Sequence, residues 1–238
     1  MKTFRYIDMD IKQNIEAIRK RIDDAAARAG RKPDEIKLIC VSKTKPSEYI
    51  SEAYACGERN FGENYVQELV AKHEELPKDI IWHMIGPLQS NKVKKAVSCA
   101  SLIHAVPSVE IAEKIGKEAV KLGKTQDVLI EINVGAEESK HGITPAELIG
   151  TLEKIHGFEG VNVKGLMCIP PYALDPEETR PYFKEMVKLK NEANEAFPEH
   201  LLSELSMGMS GDFEAAIEEG ATFVRVGTAI FGERNYSK

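Results

Sequence analysis

The sequence predicts an α/β protein, a single (β/α)8 TIM barrel with an extra N-terminal helix. Three observations carry this. About eight short β-rich runs alternate with helix-length stretches. No low-complexity linker separates them, and the 238 residues come close to the roughly 250 that such a barrel takes. A doubly wound open sheet would use fewer strands and would usually begin with a Gly-rich dinucleotide turn, which is absent. One domain over residues 1–238 is therefore expected.

In chain order, the extra helix comes first. Ile11, Ile15, Ile18, Ile22 and Ala25 recur at spacings of four and three, which marks an amphipathic helix over about residues 8–29, and Gly30 stops it. The first strand, 36–41, is an apolar run that ends before Pro46, because Pro can open the next helix but cannot continue a ladder. A helix over 46–55 ends at Cys56-Gly57, and a strand over 59–62 leads into a helix through Lys72. Strands follow at 80–85, 102–106 and 128–134, with a loop opening a helix after the first of these and a helix over 109–122 after the second. A loop at 138–142 precedes Thr144-Pro145, an N-cap with Pro at the first helical position. The sixth strand, 161–169, is stopped by Pro170-Pro171, and a helix follows over 176–196. Strand 202–207, a short helix over 212–219 and strand 222–226 complete the alternation, with no helix expected after the last strand.

Composition narrows the function. With 42% hydrophobic and 29% charged residues the chain is an ordinary globular protein. Its net charge of -6 gives no electrostatic reason to expect a nucleic-acid partner. Cys40, Cys56, Cys99 and Cys168 show no metal-ligand or disulfide spacing and read as core residues. No run reaches membrane-spanning length and Met1 to Arg5 lead into a charged helix, so a cytoplasmic protein without membrane contact is expected. The sequon Asn235-Tyr236-Ser237 is then irrelevant.

A barrel gathers the C-terminal ends of its strands at one mouth. Read in order, those ends supply Lys43, Asn64, His83, the Asn133 region, Met167, Ser206 and Arg225, a polar ring around one lysine. Lys43 has only Ser, Thr and another Lys beside it in sequence. Taken alone, Lys43 and Lys45 read as two solvated lysines at a loop entrance; within the ring, Lys43 reads as a nucleophile. Two glycine-rich stretches, Ser206-Met207-Gly208-Met209-Ser210-Gly211-Asp212 and Arg225-Val226-Gly227-Thr228-Ala229-Ile230-Phe231-Gly232, follow the last two strands. Each alone reads as a turn. Together they offer backbone N–H groups and hydroxyls to a phosphorylated ligand, which barrels commonly hold there. His83, flanked by Trp82 and Met84, reads as a core histidine. Gly123-Lys124-Thr125 imitates the end of a P-loop, but Glu118 stands where its first Gly belongs.

These features resemble the pyridoxal phosphate homeostasis protein family, relatives of the barrel domain of alanine racemase. The resemblance rests on Val41-Ser42-Lys43-Thr44-Lys45-Pro46, on Phe61 to Glu68 (FGENYVQE), on Trp82 to Lys92 (WHMIGPLQSNK), on Leu205 to Ser210 and on Arg225 to Gly232. It implies that Lys43 forms a Schiff base with pyridoxal 5′-phosphate and that Arg225 faces the pyridine nitrogen. It also implies that Ser206, Gly227 and Thr228 hold the phosphate, with Asn64 and Ser210 as further members of the site. After Phe231-Gly232 only six residues remain, so the second domain of alanine racemase, with its catalytic tyrosine, is not expected. The resemblance implies a monomeric carrier that keeps the cofactor and the amino acids depending on it in balance, is not an enzyme, and has apo-enzymes that use the cofactor as partners. The alternative is a small racemase using the cofactor on amino acids.

Overall fold

The computed structural model describes residues 10–135, 137 and 141–233. Eight parallel strands close into a barrel in chain order: β1 (Lys37–Val41), β2 (Asn60–Glu63), β3 (Ile81–Met84), β4 (Leu102–Val106), β5 (Gln126–Glu131), β6 (Val161–Met167), β7 (Glu204–Met209) and β8 (Phe223–Val226). The seam is β1 against β8, with Leu38 opposite Val224 and Ile39 opposite Arg225. The fold is the one the alternation predicts, and the strands fall within a few residues of their expected limits. Glu138, Ser139 and Lys140 of the predicted 138–142 loop lie outside the described residues, as do the first residues of the predicted N-terminal helix and the sequon.

Helices surround the strands: α1 (Ile11–Arg28), α2 (Ser47–Ala55), α3 (Val66–Glu75), α4 (Val93–Cys99), α5 (Val109–Lys121), α6 (Leu148–Ile155), α7 (Arg180–Ala196), α8 (Phe213–Glu218) and α9 (Thr228–Phe231). The main core lies between strands and helices, where Phe61, Trp82, Phe183 and Phe213 are fully buried. Ile39, Leu102, Leu129, Met167 and Phe223 form a second, smaller cluster inside the barrel. Cys40 and Cys168 are core residues, whereas Cys56 and Cys99 are half-buried.

Two departures from expectation matter for the site. A four-residue helix, α9, does follow β8. It is too short to cover its side of the barrel, and α1 packs against α2, α8 and α9 to cover it instead. Asp10 caps α1 by accepting the Gln13 N–H at 2.7 Å. The buried isoleucines of α1 face the barrel, Asn14 Nδ2 donates to the Ile230 carbonyl at 2.9 Å, and Arg21 pairs with Glu214 at 2.9 Å. The extra helix thus completes the ring. Second, β7 runs to Met209, two residues past its predicted end. Between Ser206 opposite Phe223 and Met209 opposite Arg225, three steps of β7 match two of β8, a bulge made possible by Gly208 at φ 85°.

Candidate functional site

A cavity of about 240 Å³ opens at the C-terminal mouth of the barrel. Lys43, Asn64, Ser210, Gly211, Arg225, Gly227 and Thr228 line it, with Val41, Ile85, Ile169 and Met209 as apolar walls. The barrel thus brings together six of the seven residues predicted for a site. Ser206 is the exception. The bulge keeps it inside β7, fully buried, and Ser210 rather than Ser206 reaches the rim.

Each lining residue is placed by its strand. Lys43 stands two residues past β1, half-buried, as the first central residue of a turn closed by the Lys45 N–H donating to the Ser42 carbonyl at 3.0 Å. The next residue, Thr44, has φ 61°, alone in this among the described non-glycine residues. A turn with that geometry normally carries Gly or Asn there, and a β-branched residue in the left-handed region costs about 1–2 kcal/mol. Asn64 follows β2, and Gly86 is packed under it so closely that a Cβ would lie 2.6 Å from the Asn64 carbonyl oxygen. The loops after β7 and β8 meet side by side. Ser210 Oγ is 3.4 Å from the Gly227 nitrogen and 3.4 Å from Thr228 Oγ1, long contacts that leave these donors able to serve a ligand. Asp212 accepts the Met209 N–H at 2.6 Å and so fixes the first of the two loops.

Arg225 is 4% exposed and reaches the cavity from β8. Burial lowers its pKa, yet a guanidinium stays charged under all ordinary conditions. Its partners in the barrel are neutral: one nitrogen donates to Ser206 Oγ at 2.6 Å and another to the Cys168 carbonyl at 2.9 Å. A chain of hydrogen bonds continues inward. Ser206 Oγ is 2.8 Å from His104 Nδ1, His104 Nε2 is 2.9 Å from His83 Nδ1, and His83 Nε2 is 3.0 Å from Asn60 Oδ1. Burial drives the pKa of His83 down to about 3 and that of His104 well below its ordinary value, so both rings are neutral. The roles then follow. Arg225 occupies a lone pair of Ser206, the serine hydroxyl donates to His104, His104 donates to His83, and His83 donates to Asn60. Phe223 packs against both rings at 5.6 and 5.3 Å.

Other members of the predicted ring are accordingly not at the mouth. His83 is a core residue, as its apolar flanks suggest, Met167 is fully buried inside the barrel, and Asn133 donates to the Glu137 carbonyl of its own loop at 2.8 Å. The sequence does not single out His104, since one histidine in an apolar strand carries no signal of a partner. The sequence also gives no role to Glu63, Glu68 and Lys72. They meet beneath the Lys43 turn, where Lys72, 6% exposed, pairs with Glu63 at 2.8 Å and with Glu68 at 2.9 Å. The spacing of Glu68 and Lys72 reads as a solvated helix pair, and only the fold shows its lysine buried.

Comparison with known proteins agrees with this geometry. The family model of the alanine racemase N-terminal domain matches residues 13–235. A pyridoxal phosphate homeostasis protein of Aquifex aeolicus is 47% identical over 229 residues, covering 96% of this chain and all of its own length. The protein of the same name from Escherichia coli is 40% identical over 235 residues, covering 96% of this chain and 99% of its own. Among solved structures, PipY of Synechococcus elongatus with pyridoxal phosphate bound superposes with a TM-score of 0.83 at 38% identity, over 94% of this chain and all of that one. A D-threo-3-hydroxyaspartate dehydratase from Delftia, with a TM-score of 0.67 at 18% identity over 93% of this chain and 58% of that one, shares the fold alone. A barrel matched end to end by such relatives, with its lysine, arginine and paired loops at one mouth, makes this chain a member of the pyridoxal phosphate homeostasis protein family.

Proposed function

We propose that this protein binds pyridoxal 5′-phosphate in the mouth cavity, acts as a monomeric single-barrel carrier of it in the cytoplasm, hands it to apo-enzymes that need it, and does not turn over amino acids. The observation that carries the reading is that one cavity is lined by a lysine, an arginine and a pair of hydroxyl-bearing loops. That donor set fits the three polar features of the cofactor: an aldehyde for the amine, a ring nitrogen for the guanidinium and a phosphate for the loops. When bound, the cofactor supplies an aldehyde that condenses reversibly with amines and a pyridine ring that accepts electrons.

The chain's own residues divide the work. Lys43 would hold the aldehyde end. Ser210, Thr228 and the Gly227 N–H would hold the phosphate, and Asn64 also lines the cavity. Arg225 has N–H groups beyond the two donated to Ser206 and Cys168, and these would serve the ring nitrogen. A guanidinium only donates, so it would leave that nitrogen unprotonated and the ring a weak electron sink. Proton removal from an amino acid would need well-placed acids and bases on both faces. The described residues that line the cavity include no carboxylate, histidine, cysteine or tyrosine. Lys45, the other lining amine, donates to the carbonyls of Phe231 and Glu233 at 2.8 and 2.9 Å.

The test runs on one purified, cofactor-loaded sample. Borohydride reduction and peptide mapping are expected to place the label on Lys43, with Lys43→Ala colourless. Incubation with L-alanine in deuterated water is expected to give negligible α-deuteration, while added apo-enzyme gains activity. Label on Lys45 or Lys140 with Lys43→Ala still yellow refutes the attachment. Enzyme-like deuteration lost in Lys43→Ala would establish the racemase alternative.

A further inference from the structure

The turn that presents Lys43 is gripped on both flanks by one largely buried ion cluster. All three protons of the Lys72 ammonium are used: it donates to the Ser42 carbonyl at 2.9 Å, to Glu63 Oε1 at 2.8 Å and to Glu68 Oε2 at 2.9 Å. Both carboxylates then reach back to the turn. Glu63 Oε1 accepts the Ser42 hydroxyl at 2.7 Å, and Glu68 Oε2 accepts the Thr44 N–H at 2.8 Å. The residue before Lys43 and the residue after it are therefore tied to the same ammonium, directly or through one carboxylate. The residue after it is the one in the left-handed conformation.

Such a cluster is a poor choice for stability alone. Glu63 is fully buried, its Oε2 meets no hydrogen-bond donor among the described residues, and burial pushes its carboxyl up to about 7. The same volume filled with apolar side chains would keep the barrel closed but would leave the Thr44 N–H and the second lone pair of the Ser42 carbonyl without partners.

We infer that Glu63, Glu68 and Lys72 are positioning residues for Lys43, a clamp that holds the strained Ser42–Lys45 turn closed and so fixes where the Lys43 amine enters the cavity. The inference rests on Lys43 being the attachment point. None of the three lines the cavity, so they act through the turn and not on the cofactor.

Glu68 is the member to test, because its side chain is 29% exposed and its loss leaves the Glu63–Lys72 pair in place. Loading with pyridoxal 5′-phosphate is followed by absorbance, and borohydride-trapped label is apportioned between Lys43 and Lys45 by peptide mapping. Glu68→Ala should slow loading at Lys43 roughly tenfold, since small displacements of a reacting group have effects of that order or larger. It should also divert part of the label to Lys45. Glu68→Gln, which keeps an acceptor for Thr44, should load within about threefold of the parent. Thr44→Gly combined with Glu68→Ala should recover most of the loss, because glycine takes a positive φ without strain and no longer needs the bond. Lys72→Met should resemble Glu68→Ala or be worse; if it does not fold, the Glu68 and Thr44 variants decide. Parental loading rate and label distribution in folded Glu68→Ala would overturn the clamp, as would a loss that Thr44→Gly fails to recover. A Lys43→Ala variant that still retains the cofactor covalently refutes the proposed attachment instead, a separate outcome.

Discussion

Ser206→Ala removes one oxygen from the middle of the Arg225–Ser206–His104 chain, and its effect should be on stability more than on ligand. Two groups lose their partner at once: a guanidinium nitrogen 2.6 Å away and His104 Nδ1 at 2.8 Å. Both residues are buried, so neither atom is rescued by bulk solvent. A hydrogen bond from a charged donor contributes about 1.5–3 kcal/mol, and a buried neutral group left unsatisfied costs about 1–3 kcal/mol. The combined destabilisation is about 3–5 kcal/mol, which for a domain of this size lowers Tm by roughly 10 °C. Ser210→Ala is the paired control. Its contacts are long and its side chain half-buried at the cavity rim. It should leave Tm within about 2 °C while weakening retention of pyridoxal 5′-phosphate. Thermal unfolding of the cofactor-free proteins, with equilibrium dialysis of the loaded ones, separates the two. If Ser206→Ala unfolds like the parent and loses only cofactor, Ser206 is a phosphate ligand and the buried chain has been misread.

Three further outcomes follow from the geometry. Burial raises Glu63 from 4.5 to about 7, so the folded state binds this proton more tightly than the unfolded chain; its contribution of about 3 kcal/mol is fully present below about pH 4.5 and is lost as pH rises through 7. The Tm advantage of the parent over Glu63→Gln should therefore shrink between pH 5 and pH 8, roughly, and parallel curves would show that Glu63 does not titrate there. Thr228→Ala should weaken pyridoxal 5′-phosphate about tenfold and leave unphosphorylated pyridoxal nearly unaffected; equal losses in dialysis would make that loop structural. In Gly208→Ala, the new Cβ would lie 2.6 Å from the Ala216 Cβ and 2.9 Å from the Phe213 Cα at φ 85°, so a loss of about 2–4 kcal/mol in urea unfolding is expected, and a neutral result would mean that the bulge is not required.

Much of the fold was legible because most strands are short β-rich runs stopped by Gly, Pro or a helix cap, and Lys43 was legible because it stands just past such a run. What was lost is what register decides. Ser206 looked like the end of its strand, since nothing local shows that Gly208 admits a bulge and carries β7 on to Met209. His83 and His104 lie 21 residues apart, and only the closed barrel turns both side chains inward to meet. Lys72 follows a glutamate at helix spacing, a pattern usual on solvated faces; the buried partner that changes its meaning, Glu63, comes from a neighbouring strand. The short α9 was missed because four residues carry no helical period.

The way α1 completes the ring bears on when the site comes into being. Asn14 and Ile230 are 216 residues apart, and β1 pairs with β8 across nearly as long a separation. Loop-closure entropy grows slowly with length, by about 0.6 kcal/mol for each doubling, so a distant seal is tolerable at equilibrium. Its kinetic effect is larger, because non-local pairing is the slow part of folding. The turn bearing Lys43 belongs to one side of that seam, and Arg225, Gly227 and Thr228 belong to the other. An incompletely assembled chain thus holds the parts of the pocket on separate ends and has no means of gripping a ligand with both. On the proposed site, capture of the cofactor would report that the seam has closed, and by mass action the bound form would then keep it closed.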